Sequence, residues 1–310
     1  MKWNGYLAVV LGMAALSSQA EVKPPYQVDQ GRVVFRASVN ADPQVLAGAR
    51  ADNFKVLQKG DAMALAASGS QYYCNQQPLP KGFKPESAKL YGEHFLLTNV
   101  GSYVDCAPMK QTIDAASFEA LTFPFFRDKN HIWLPDGEIL DGVDVASFKA
   151  IASNQAIDKK NYYFVANEIS IVPYQKNAPV AGECYGWATI DGVVHYQGEA
   201  RPDVDAASFH CLTFDTALDN VRFYKFGRIG TALPDGVKAA AIKPVADSEK
   251  LATDGQRVWF LGVDTVLLEG LGVSNLSSKL DSNDYTISDG KTRWHCDSVK
   301  VSGQPQCHKG

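Results

Sequence analysis

The chain has 310 residues, with 30 Lys and Arg against 34 Asp and Glu, a formal net charge of −4 at pH 7 and 45% hydrophobic residues. That apolar content excludes a disordered chain. The mildly acidic balance, without basic runs, lacks the footprint of a nucleic-acid binder and the polybasic patch of a protein that rests on anionic membranes. The length suits one large or two ordinary domains.

The first twenty residues read as an export signal. Lys2 gives a positive start, residues 7–16 form an apolar run too short to span a bilayer, and Ser18-Gln19-Ala20 puts small residues where a signal peptidase reads. Residues 1–20 are therefore expected to be a signal peptide cleaved after Ala20, and the remainder to be periplasmic or secreted. No Cys lies near that point, so no lipid anchor is expected. No later stretch reaches about 18 consecutive apolar residues, so no membrane span is expected after signal removal.

Six cysteines suit three disulfides in an oxidising compartment. Many connectivities are open in principle, but Cys74 with Cys106, Cys184 with Cys211 and Cys296 with Cys307 fall into three separated pairs. Local pairing would close loops of roughly 32, 27 and 11 residues, each worth about 3 kcal/mol in the chain-entropy model. Metal binding by cysteine favours close spacings such as Cys-x-x-Cys, and none is present.

From residue 29 onward the chain repeats itself. Asp29-Gln30-Gly31 is a turn feeding a β-rich run, and Gly48 and Phe54 then match Gly142 and Phe148 of a fuller copy. Two plainer copies are Asp114-Ala115-Ala116-Ser117-Phe118 and Asp205-Ala206-Ala207-Ser208-Phe209. A weaker one ends near Leu276. The anchors 54, 118, 148, 209 and 276 lie one or two periods of about 31 to 33 residues apart, which predicts worn units near 86, 179 and 240. Between anchors, an Asp opens a turn into an aromatic or β-branched run, as at Asp128, Asp158, Asp191, Asp219, Asp254 and Asp289. Asp114 or Asp205 would cap a short helix whose Phe drops into the core.

The expected fold is therefore mainly β: serial β-hairpin repeats of about 31 residues joined by short helical turns, stacked as a solenoid-like or propeller-like array. The period is shorter than the roughly 40 to 45 residues of a four-stranded propeller blade. The expected division is an N-terminal repeat region at 21–152 and a C-terminal one at 153–310, or one continuous domain.

The strings Asp128-Lys129-Asn130-His131-Ile132-Trp133 and Asp158-Lys159-Lys160-Asn161-Tyr162-Tyr163 resemble the signature of the DKNYY family of exported bacterial repeat proteins. Gly142, Asp144, Ser147 and Phe148 match the second half of that signature. The resemblance is close over about residues 104–215. It implies a repeat architecture and brings no catalytic residues with it.

Candidate chemistry is sparse. His131 and His195 stand where sister units carry Tyr or Phe, which reads as packing. His295-Cys296 reads as a disulfide end, and Asp281-Ser282-Asn283-Asp284 as a turn, since the Glu and fifth ligand of a calcium loop are missing. Glu183-Cys184-Tyr185-Gly186-Trp187 places an aromatic after a cysteine, without the His and Asn context of a cysteine protease. No catalytic residue, metal ligand or cofactor site is expected. Aromatics are in surplus, and Trp187, Tyr196, Trp259 and Trp294 are candidates for an exposed binding row. The function expected is a non-catalytic protein-binding module with another protein as partner, in one version a periplasmic immunity or inhibitor protein. A carbohydrate-binding or hydrolytic envelope protein and a purely structural envelope component are the rivals.

Overall fold

A computed structural model of the chain describes residues 25–38, 40–59, 62–246, 248–298 and 305–310. The expected signal peptide lies outside the described residues. No helix among them is long and apolar enough to cross a membrane.

Among the described residues the chain forms nine small antiparallel sheets, each built from strands that follow one another in sequence. Their first strands begin at Tyr26, Phe54, Lys89, Glu119, Lys149, Val180, His210, Lys243 and Ser277, a recurrence of 28 to 35 residues. Phe118, Phe148, Phe209 and Leu276 each stand immediately before such a strand. The sheets opening at Lys89, Val180 and Lys243 fill the three places where the sequence repeat is worn.

The chain divides into two compact units, one up to Lys110 and one from Gln111. The boundary does not fall at 152/153. Strand Lys149–Ala152 pairs with Gln155–Ile157 across that point, with Ala152 opposite Gln155. Phe148, Ala156 and Tyr163 also share a core with Phe125 and Ile132. A cut there would sever a hydrogen-bonded hairpin.

Within each unit the cores lie between sheets that are consecutive in the chain. In the first unit, Tyr26, Val33 and Phe35 pack with Ala64, Ala66 and Tyr73, and Leu65 and Leu79 with Leu96 and Tyr103. In the second, strand Asn161–Val165 shows the principle. Side chains alternate across a strand, so Tyr163 and Val165 join the cluster of the preceding sheet, and Tyr162 and Phe164 that of the following one with Ala188 and Ile190. Strand Val258–Leu261 does the same: Trp259 and Leu261 face back, Val258 and Phe260 face forward. Both faces are covered, which is why these strands read as unbroken apolar runs rather than alternating ones.

Three expectations are corrected. Among the described residues no closure into a solenoid or propeller is found; the sheets are separate hydrogen-bonded sets. The helical turns expected at the Asp-Ala-Ala-Ser-Phe segments are isolated turns that do not become helix: the Ser117 N–H bonds the Asp114 carbonyl at 3.2 Å, and the Ser208 and Phe209 N–H groups share the Asp205 carbonyl at 3.1 and 3.0 Å. The Asp and Ser side chains bond their own turn and so compete with helix, and the chain enters a strand right after the Phe. One turn of 3-10 helix occurs instead at Ala51–Asn53, Pro85–Ser87 and Ala239–Ala241. Finally, a period near 31 residues does hold four strands, because they are short, three to five residues each in the unit from Lys149–Ala152 through Ile169–Pro173.

Cys74 is bonded to Cys106, Cys184 to Cys211, and Cys296 to Cys307. The first bridge joins the second and third sheets and the second the sixth and seventh. The third crosses the register pair Cys296–Cys307 of the last sheet.

Candidate functional site

The signature residues meet in one recurring arrangement. Asp128, Asp158 and Asp219 are 1%, 3% and 0% exposed. Oδ1 of Asp158 accepts the N–H of Lys160 and of Asn161, both at 2.8 Å; Oδ2 accepts the N–H of Asp144 at 3.0 Å and the Tyr163 hydroxyl at 2.7 Å. Asp219 repeats this with Val221, Arg222, Asp205 and Tyr224 at 2.8 to 2.9 Å. Asp128 does so with Asn130, His131 and Asp114. Burial pushes each of these carboxyls up, and the converging N–H donors overcome it and hold all three below the ordinary 3.8. Each aspartate therefore ties its own hairpin to the turn that precedes it in the same repeat.

The lysine and serine of the motif complete the tie. The Lys129 N–H donates to Ser117 Oγ at 2.9 Å, and its ammonium lies 2.6 Å from Asp114. Lys159 repeats both contacts with Ser147 and Asp144. The Lys159 ammonium, aided by the Ser147 hydroxyl, holds Asp144 down to about 2. Asn130 is exposed, while Asn161 donates to the Tyr163 hydroxyl at 3.3 Å. Phe118 stacks on Phe126 at 6.1 Å, Phe148 meets Phe125 edge-on at 5.3 Å, and half-buried Phe209 lies 4.9 Å from Trp187. All of these contacts serve folding.

A different arrangement lies between the seventh and eighth sheets, where a cleft of about 430 Å³ opens. At its base the Lys225 ammonium sits 2.7 Å from Asp215 and donates to Thr216 Oγ1 at 3.1 Å and to the Leu261 carbonyl at 3.2 Å. Asp215 also accepts the hydroxyls of Thr213 and Thr216 at 2.9 and 2.8 Å. Burial raises Asp215, but the Lys225 ammonium and the two hydroxyls outweigh it and keep the carboxyl ionised. Lys250 stands 3.9 Å from the same carboxylate, and Arg228 and Asp264 line the cleft. The walls are apolar. Phe226, Ile229 and Val263 are 48%, 56% and 46% exposed, and Phe260 lies 5.4 Å from Tyr285. Its three partners engage all three N–H groups of the Lys225 ammonium. What the cleft offers a ligand is its walls and its outer cations.

A family model described as the DKNYY family matches residues 103–263, just over half of the chain. The chain belongs to the DKNYY family. No curated protein matches it.

Seen against the DKNYY repeat, the cleft is a paired departure. The sixth residue after the buried aspartate is Leu134 in one unit and Phe164 in another, but Lys225 in the third. Thr122-Phe123-Pro124 in one copy corresponds to Thr213-Phe214-Asp215 in its sister. A cation and a carboxylate thus replace two uncharged residues and pair with each other. That double change is the sequence signal for the cleft, and aligning units for their likeness passes over it.

The candidate binding aromatics do not form an exposed row. Trp187 and Trp259 are 1% and 0% exposed and belong to inter-sheet cores, as do Tyr162 and Tyr163, and Trp133 is fully buried. Tyr196 is half-buried, packed 5.0 Å from Trp187, and Trp294 leans on the last core cluster. Their surplus is explained by strands buried on both faces. Cys184 is held in a disulfide, so its sulfur is no thiolate nucleophile. Among the described residues no group of three or more His, Cys, Asp or Glu is placed to hold a metal ion.

Proposed function

We propose that this DKNYY protein is an exported, non-catalytic protein-binding module, and that its partner engages the cleft above Asp215 and Lys225. The observation that carries the reading is the rim of Phe226, Ile229 and Val263, three large apolar side chains left about half exposed around one concavity. Exposed apolar groups clustered at a concave site mark interaction surfaces, whereas scattered ones are ordinary. Three disulfides suit an oxidising compartment outside the cytoplasm, which supports the export reading. An immunity or inhibitor role is the concrete version, since a stapled, repeat-built surface gives a rigid platform for one partner.

The carbohydrate-binding rival draws on the aromatic row, and burial of Trp187 and Trp259 takes away its best platforms. A structural envelope role would leave the rim without a ligand. The test is recovery of a partner from periplasmic extract on the full chain and on an Ile229→Asp, Val263→Asp variant. A protein retained by the first and lost from the second supports the proposal. Retention by both moves the interface elsewhere, and a glycan screen with positive binding and no protein partner would overturn the proposal.

A further inference from the structure

We infer that the cleft between the seventh and eighth sheets reads a carboxylate attached to a large apolar group, of the kind a partner peptide presents when an aromatic residue carries or adjoins an acid. This rests on the protein-binding reading and names the chemistry of the partner. The first support is charge. Among the described residues three cations, Lys225, Arg228 and Lys250, line the cleft with two carboxylates, Asp215 and Asp264, a positive surplus in a chain whose formal net charge is −4.

The second support is how the charges are committed. Lys225 and the two threonine hydroxyls already occupy Asp215. Lys250, one-third exposed, stays at 3.9 Å, outside hydrogen-bond reach of that carboxylate. Arg228 is exposed and makes no ion pair among the described residues. Two cations without a hydrogen-bonded acid therefore share one concavity with apolar walls. A carboxylate placed between them would gain charge-assisted hydrogen bonds. An aromatic or large aliphatic group on the same ligand would cover Phe226, Ile229 and Val263. A volume of about 430 Å³ admits a group of that size.

The experiment titrates the full chain calorimetrically with three small probes: N-acetylphenylalanine, its uncharged amide, and an acetylated aspartyl-phenylalanine amide. The first carries a chain-end carboxylate and the third a side-chain one. At least one acid is expected to bind about tenfold more tightly than the amide. The preference should fade at high salt and disappear in an Arg228→Ala, Lys250→Ala variant whose circular dichroism matches the parent. Equal binding of acid and amide, no binding of either acid at millimolar concentration, or a preference that survives the double substitution would each overturn the inference. The two readings fail separately. A partner lost with the Ile229→Asp, Val263→Asp variant but kept by the Arg228→Ala, Lys250→Ala variant leaves the binding module standing without its carboxylate. Acid selectivity with no protein partner does the reverse.

Discussion

Replacing Asp219 with Ala should destabilise the second unit by about 3 to 4 kcal/mol. The carboxylate is fully buried and accepts four hydrogen bonds, from the N–H groups of Asp205, Val221 and Arg222 and from the Tyr224 hydroxyl. Its removal leaves three N–H donors without a partner and the Tyr224 hydroxyl with only a long contact to the Asp203 carbonyl at 3.4 Å, at about 1 kcal/mol for each bond lost or somewhat more. Relief of the carboxylate's own burial offsets a small part, and the sum falls at the low end of the roughly 3 to 5 kcal/mol for stripping one partner from a buried charged network. Tyr224→Phe removes a single charge-assisted bond and should cost about 1.5 kcal/mol. The two changes must not add. Once Asp219 is gone the Tyr224 hydroxyl has lost its short bond and keeps only the 3.4 Å contact to the Asp203 carbonyl, so the double variant should resemble the aspartate variant closely. Urea titration followed by circular dichroism under non-reducing conditions measures all three. A loss below about 1 kcal/mol for Asp219→Ala, or strict additivity with Tyr224→Phe, would refute the lock.

Three further outcomes follow from the same structure. Gly227 sits at φ +72°, and a Cβ there would fall 2.3 Å from the Tyr196 ring, so Gly227→Ala should cost about 2 to 3 kcal/mol in the same titration, whereas Gly236→Ala, with open space around it, should cost only about 1. Replacing Cys184 and Cys211 together by Ser opens a loop of 27 residues and should lower the urea midpoint by the equivalent of about 3 kcal/mol, which a midpoint unchanged from the parent would contradict. For pH, Asp144 and Asp289 are held at about 2, below the ordinary 3.8. A carboxyl whose pKa falls on folding binds its proton more readily when unfolded, so its contribution is complete above about pH 4 and is lost as pH drops towards about 2. Midpoints measured between about pH 6 and pH 2 should stay level at first and then fall, and a level course down to about pH 2.5 would exclude the effect.

The sequence carried the rhythm of the fold but not its interlocking. Turn-opening aspartates, aromatic strands and Phe anchors at a period near 31 residues are local patterns, and each has its place in the nine sheets. The partner of Asp158 fourteen residues earlier, the N–H of Asp144, is a backbone group that every residue but proline carries, so no side-chain pattern announces it. The Asp-Ala-Ala-Ser-Phe turn reads as helix from sequence because capping residues favour a helix start and a free turn alike. Whether Trp187 and Trp259 were exposed depended on a neighbouring sheet that covers the second face of each strand, which strand periodicity alone cannot supply. The cleft at Asp215 and Lys225 was visible only as two charged exceptions to a repeat.

The lock also bears on the order in which the chain can acquire structure. Every hydrogen-bonded strand pair joins neighbours in sequence, so the contact order within each sheet is low and the loops to be closed are short. A chain delivered gradually from its N-terminus can close each sheet as that sheet arrives, without waiting for distant segments. Two of the bridges keep a different schedule. Cys74 and Cys184 each take a partner from the next sheet along, 32 and 27 residues downstream. Native pairing at those sites therefore needs segments of two sheets to meet, whereas Cys296 and Cys307 pair within one sheet.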